Sequence, residues 1–141
     1  NKEYSLNLNN YTTKYYMTLA ETLTTINYLS KNYEIKKLIT ETGNQLGNSA
    51  ILFGSYAREE TTEESDVDLL IIADKKFDTN AIKEAGKLIN REINVTAKTE
   101  EQFSKGLMNS DPLIREVIAN HIILKGIDNL VNIMWQYYAR Q

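Results

Sequence analysis

Cysteine is absent from the 141 residues. That excludes a disulfide framework, a thiolate metal site and a cysteine nucleophile. Histidine occurs once, at His121, so no multi-histidine metal centre can be assembled. Positive charge is not in excess: 16 Lys and Arg stand against 19 Asp and Glu, a formal net charge of −3. A general electrostatic pull toward nucleic acid is therefore missing, which weakens DNA or RNA as a substrate without excluding either. No apolar run approaches the ~18 residues of a membrane span, and the first residues lack the basic and apolar regions of a signal peptide. The expectation is a soluble, cytoplasmic protein with no membrane contact. Because the chain opens on Asn1 rather than Met, it reads as a piece of something longer. Its length suits one domain with a real core and room for an extra helical arm.

What is present centres on one stretch. Residues 51–58 read Ile-Leu-Phe-Gly-Ser-Tyr-Ala-Arg, an acidic loop follows, and residues 65–72 read Ser-Asp-Val-Asp-Leu-Leu-Ile-Ile. Two apolar strands joined by a polar connection fit this pattern. Side chains alternate faces along a strand, so Asp66 and Asp68 point the same way. Paired carboxylates on one face repel each other, and a divalent cation is the commonest reason to tolerate them. Gly54 and Ser55, where a strand turns into a helix, offer backbone N–H groups and a hydroxyl to a phosphate. A phosphate site beside a metal site points to a nucleoside triphosphate with magnesium.

The rest of the chain supplies the frame. Residues 4–9 alternate apolar and polar, the pattern of a short strand, with no obvious partner nearby. From about 13 to 31 a helical period takes over, with Tyr16, Leu19, Leu23, Ile26 and Leu29 on one stripe. A second helix is expected over about 33–46, with Ile35, Leu38, Ile39 and Leu46 inward and Gly47 near its end. Strands are expected at 50–53, 67–73, 93–97 and 121–125. The unbroken apolar run at 67–73 suits a central strand covered on both faces. Helices are expected at about 79–90, from Thr99, from Asp111 and from Ile127 to the end. Thr99 with Gln102 has capping-box spacing, and Asp111-Pro112 places proline at a first helical position. The order gives an α/β or α+β sheet domain with helices packed on it. The expected division is a strand remnant and helical extension over 1–47, then a sheet domain over 48–141. The N-terminal helices and residues 127–138 carry enough apolar residues for a homodimer surface, although the core could use them equally well.

Gly54-Ser55, ten residues, then Asp66-Val67-Asp68 resembles the Gly-Ser-x10-Asp-x-Asp signature of the minimal nucleotidyltransferases, in the polymerase-beta-like nucleotidyltransferase superfamily. The resemblance extends roughly from residue 50 to 126, through the turn at 53–58, the stretch at 99–103 and residues 111–126. It implies a nucleotidyltransferase-like mixed β-sheet packed with helices. It also implies two divalent ions, Mg2+ or Mn2+, bridging carboxylates and the triphosphate of ATP or another nucleoside triphosphate. Asp66 and Asp68 look like the metal ligands and catalytic carboxylates, and Gly54 and Ser55 like the triphosphate cradle. Arg58 is placed to reach a phosphate, with a surface ion pair to Glu59, Glu60 or Glu63 equally open. The family's third carboxylate sits on the neighbouring strand, where this chain has Asn94. A neutral amide oxygen binds a cation less strongly, so Glu92, two residues earlier on the same strand face, is the candidate replacement ligand, with Asn94 the alternative. If neither serves, the site binds nucleotide without turning it over.

Three functions stay open on this resemblance. The first is a magnesium-dependent enzyme moving a nucleoside monophosphate onto a small molecule or a protein hydroxyl, as in the antitoxins that adenylylate a HEPN-type toxin. The second is a nucleotide-sensing domain of a winged-helix transcriptional regulator. There residues 4–8 are the last wing strand, and DNA is bound only by an upstream domain. The third is a scaffold with a vestigial site.

Overall fold

The computed structural model describes residues 2–139. Four strands, β1 (Ser49–Phe53), β2 (Val67–Ile72), β3 (Ile93–Lys98) and β4 (Ile122–Lys125), form one sheet in the order β3-β2-β1-β4. Among the described residues there are seven α-helices: α1 (Thr13–Lys31), α2 (Tyr33–Thr42), α3 (Gly54–Ala57), α4 (Asn80–Ala85), α5 (Glu100–Met108), α6 (Pro112–Ala119) and α7 (Ile127–Ala139). β1 runs antiparallel to both β2 and β4, while β2 and β3 are parallel. This is the mixed α/β architecture expected, with a helix ahead of it.

The unbroken apolar run of β2 explains its central place. Val67, Leu69 and Ile71 face one way, into a cluster with Ile35 and Leu38 of α2 and Ile82 of α4. Leu70 and Ile72 face the other way, into a cluster with Phe103 of α5, Ile114 of α6 and Leu130 of α7. Every β2 residue but Asp68 is buried. Burying an aliphatic side chain of this size stabilises the fold by about 1.5–3 kcal/mol, so the core is centred on this strand.

Local signals set the helix starts. Thr99 Oγ1 accepts from the Gln102 amide at 3.2 Å, and Gln102 Oε1 accepts from the Thr99 amide at 2.9 Å. Asp111 Oδ1 accepts from the Ile114 amide at 3.1 Å, with Pro112 opening α6. Both caps satisfy amides that a helix start otherwise leaves unpaired.

Two expectations are corrected. Residues 4–9 form no strand: the chain is irregular through Asn7 and turns from Leu8. No strand lies beside it to accept its ladder bonds, so alternation alone does not hold it extended. The second and fourth helices are shorter than expected, each ending in a 3-10 turn (43–45 and 86–88) that begins at a glycine. The stripe read on α1, left open between core and surface, divides. Tyr16, Leu19, Leu23 and Ile26 face solvent, Leu29 packs against the core, and the opposite side docks through Thr13, Thr25 and Tyr28. Thr25 donates to the Ile123 carbonyl of β4 at 2.7 Å, and Tyr28 donates to the Tyr56 carbonyl at 2.9 Å. The final two residues expected in the last helix lie outside the described residues.

Candidate functional site

Strand register builds the site at one end of the sheet. Phe53 pairs with Asp68, and Asp68 pairs with Asn94. The C-terminal end of β1 thus meets the N-terminal ends of β2 and β3. Asp66 precedes β2 by one residue and is exposed; Asp68 is half-buried. The chain leaves β1 at Gly54 and turns at once into α3, a single helical turn.

Gly54 has φ of +70°, a conformation open to glycine and strained for other residues. A β-carbon there would also collide with an Asp68 carboxylate oxygen and stand 3.2 Å from the carboxylate carbon. Glycine at this position lets the Asp68 carboxylate lie directly against the start of α3. The first amides of a helix have no intrahelical partner, so this turn presents donors beside the carboxylate. Ser55 follows, half-buried.

The two aspartates converge on one group. Asn94 Nδ2 lies 3.1 Å from Asp68 Oδ1 and 3.4 Å from Asp66 Oδ2. A partly positive amide NH2 therefore stands where two negative groups meet, which is also the arrangement a hard cation would take up. Turned end for end, the same amide would present its oxygen to a cation held by both aspartates. The donor set thus fits a divalent ion through two carboxylates and one amide.

Glu92 lies just before β3, where its carbonyl accepts from the Val67 amide at 2.9 Å and its side chain is exposed. Among the described residues, no group of three or more His, Asp or Glu side chains is close enough to share a metal ion. The structure thus brings Asp66, Asp68, Gly54 and Asn94 together. It gives Glu92 no such contact.

Arg58, just after α3, is held by carboxylates. Its Nε lies 3.1 Å from Glu60 and its Nη1 3.5 Å from Glu116 of α6. Partly exposed pairs of this kind contribute about 0–1 kcal/mol, so a phosphate competing for the guanidinium meets little resistance.

Residues not singled out in the sequence hold the approach to Asp66. Arg91, at the foot of β3, donates to the Thr62 carbonyl at 3.0 Å, the Ser65 carbonyl at 3.3 Å and the Glu63 carbonyl. One guanidinium therefore gathers the loop that leads into Asp66. Behind it, Arg91 Nε lies 3.7 Å from Glu34, whose carboxylate accepts from the Tyr56 hydroxyl at 2.8 Å. Burial, then the hydrogen bond and charge of Glu34, push the Tyr56 hydroxyl up to about 12, against the lowering effect of Arg91. Tyr56 thus stays a neutral donor, and α2, α3 and the loop are tied together by one network. Nothing short of the β2–β3 register would have marked Arg91 in the sequence, because its role lies in three backbone carbonyls about 26–29 residues away.

A model of the nucleotidyltransferase domain matches residues 33–125. A Methanocaldococcus jannaschii protein, provisionally named a protein adenylyltransferase, is 45% identical over an alignment covering 31% of this chain and 60% of that protein. The match therefore spans about 60% of that relative's length. A chain from the crystal structure of a toxin-antitoxin with AMP-PNP overlays with a TM-score of 0.48 at 17% identity, over 77% of this chain and 86% of that one.

Proposed function

The chain belongs to the nucleotidyltransferase domain family, and from that premise we propose that it transfers a nucleoside monophosphate from ATP, with magnesium, onto a hydroxyl of a protein. The observation that carries this reading is the convergence of the Asp66 and Asp68 carboxylates over Gly54. Two like charges are gathered beside a helix start. Paired carboxylates suit a hard cation, and the amides of a helix start suit an anion.

A bound divalent ion would supply charge neutralisation for the triphosphate and lower the barrier to attack at the α-phosphorus. Asp66 and Asp68 hold it, with Asn94 as a neutral third donor. Gly54 and Ser55 bring backbone amides and a hydroxyl to the phosphates, and Arg58 exchanges its glutamates for a phosphate oxygen. The acceptor oxygen forms a bond to the α-phosphorus, the bond to the bridging oxygen breaks, and pyrophosphate leaves; the hydroxyl proton passes to solvent or a carboxylate. A protein acceptor, of which a HEPN-type toxin is one example, is favoured by the name of the M. jannaschii relative.

A second reading rests on Asn94. Its amide bridges the aspartates where a carboxylate is usual in this family, which favours nucleotide binding with weak turnover, as in a sensor. One assay separates the two. The chain is incubated with magnesium and labelled ATP, with and without candidate acceptor proteins, and pyrophosphate is measured. Transfer predicts acceptor-dependent release that the double variant Asp66→Ala and Asp68→Ala abolishes. Release that survives the double variant refutes these ligands, and nucleotide binding without release selects the sensor.

A further inference from the structure

The outward face of α1 is apolar and carries no charge. Tyr15, Tyr16, Leu19, Leu23 and Ile26 each leave between 55 and 67% of their surface exposed. Monomers seldom expose so continuous an apolar stripe without a use for it. Glu21 is the only charged residue between Tyr15 and Ser30. It lies on the opposite side, 2.8 Å from His121. Lys14 is likewise turned away, donating to Asn132 at 2.7 Å.

We infer that this face is the contact between two copies of the chain, formed by antiparallel packing of α1 on the α1 of a second copy. Three observations select a second copy as the occupant. The stripe Tyr16, Leu19, Leu23, Ile26 is spaced three, four, three, which reads the same from either end. A two-fold axis near Glu21 then sets Leu19 against Leu23 of the other copy and Tyr16 against Ile26, as an isologous contact requires. That spacing is also the seam of helix pairs that cross at about +20°. Charge is the second observation. A nucleic acid would need Lys and Arg on the face, and helices lying on a lipid surface are rich in both; this face has neither. The third is area. The five residues expose roughly 600 Å² per copy, so pairing can remove at most about 1,200 Å² in total, which just reaches the lower edge of stable interfaces.

The absence of native cysteine makes the test clean. Sedimentation equilibrium of the chain over a concentration series should show a monomer–dimer equilibrium. Leu19→Glu and Leu23→Glu together place carboxylates against each other across the axis. They should raise the dimer dissociation constant by about a hundredfold or more, because like charges set against each other across an interface repel. Both positions are exposed, so the circular dichroism spectrum should not change; Ile26→Lys provides a second disruption of opposite charge. Under oxidation, a mixture of Leu19→Cys and Leu23→Cys chains should cross-link faster than either variant alone. A monomer at every concentration overturns the inference and leaves the face to an unlike partner or another segment. A dimer that survives the charged variants, or same-residue cross-links that dominate, overturns it as well.

Discussion

Two polar clusters flank the sheet, and they are built on opposite principles. At the strand ends, Asp66 and Asp68 converge with only the Asn94 amide between them, partly open to solvent. At the other, between α1 and the end of α6, every polar atom of His121 is matched. Its Nε2 lies 2.8 Å from Glu21, and its Nδ1 lies 3.1 Å from the carbonyls of both Val117 and Ile118. Burial opposes charge on this ring, but the Glu21 hydrogen bond and charge, with the two carbonyls, raise its affinity for protons overall. Both nitrogens face acceptors, so the imidazolium satisfies all of them. Matched polarity of this kind fastens the fold together. Like charge bridged by a single amide is what the proposed metal and nucleotide would complete.

The comparison breaks or sharpens in order of expected effect. Removing both site carboxylates (Asp66→Ala, Asp68→Ala) should lower nucleotide transfer on the order of a thousandfold, several kcal/mol of barrier. The thermal midpoint should stay level or rise, because repulsion is relieved; calorimetry beside the pyrophosphate assay checks both. A midpoint that falls steeply would place the pair among structural groups. Gly54→Ala should cost about 1–2 kcal/mol for the left-handed backbone alone. The collision with Asp68 adds to this, and transfer should be lost even in the folded fraction. Arg91→Ala should free the loop at 62–65 and weaken nucleotide or metal binding by about 1.5–3 kcal/mol, the worth of charged hydrogen bonds. Titration calorimetry measures that loss.

The His121 cluster should respond in the reverse sense. Its proton affinity in the fold lies above the ordinary value of 6.5, so the stabilisation is fully present below about pH 6.5. It is lost as pH rises through the higher folded value. Denaturant midpoints from pH 6 to pH 8 should therefore fall in the wild type and be flatter in Glu21→Gln, with no change in the nucleotide site. The smallest effect is expected from Asn94→Asp. A third carboxylate should tighten magnesium binding by about tenfold, while slightly lowering stability without metal.

How far these features were legible in the sequence follows from what sequence encodes. Alternation put Asp66 and Asp68 on one face and apolar continuity made β2 central, because both are properties of a single strand. The caps at Thr99 and Asp111 were equally local. What was hidden depends on pairing between distant segments. The β2–β3 register decides that Asn94, rather than Glu92, touches both aspartates. The docking of α1 is the clearest case. Periodicity marked Tyr16, Leu19, Leu23, Ile26 and Leu29 as one face but could not say that only Leu29 meets the core. The helix is instead anchored by threonine and tyrosine hydroxyls. Strand alternation at 4–9 misled for the same reason, since a strand needs a neighbour.

The account stands or falls on whether the strand-end carboxylates hold a metal with nucleotide. Bound manganese, counted by electron paramagnetic resonance in the presence of a non-hydrolysable ATP analogue, tests this directly. The wild-type chain should bind the ion and the Asp66→Ala, Asp68→Ala chain should not. Equal binding by both chains would contradict the account.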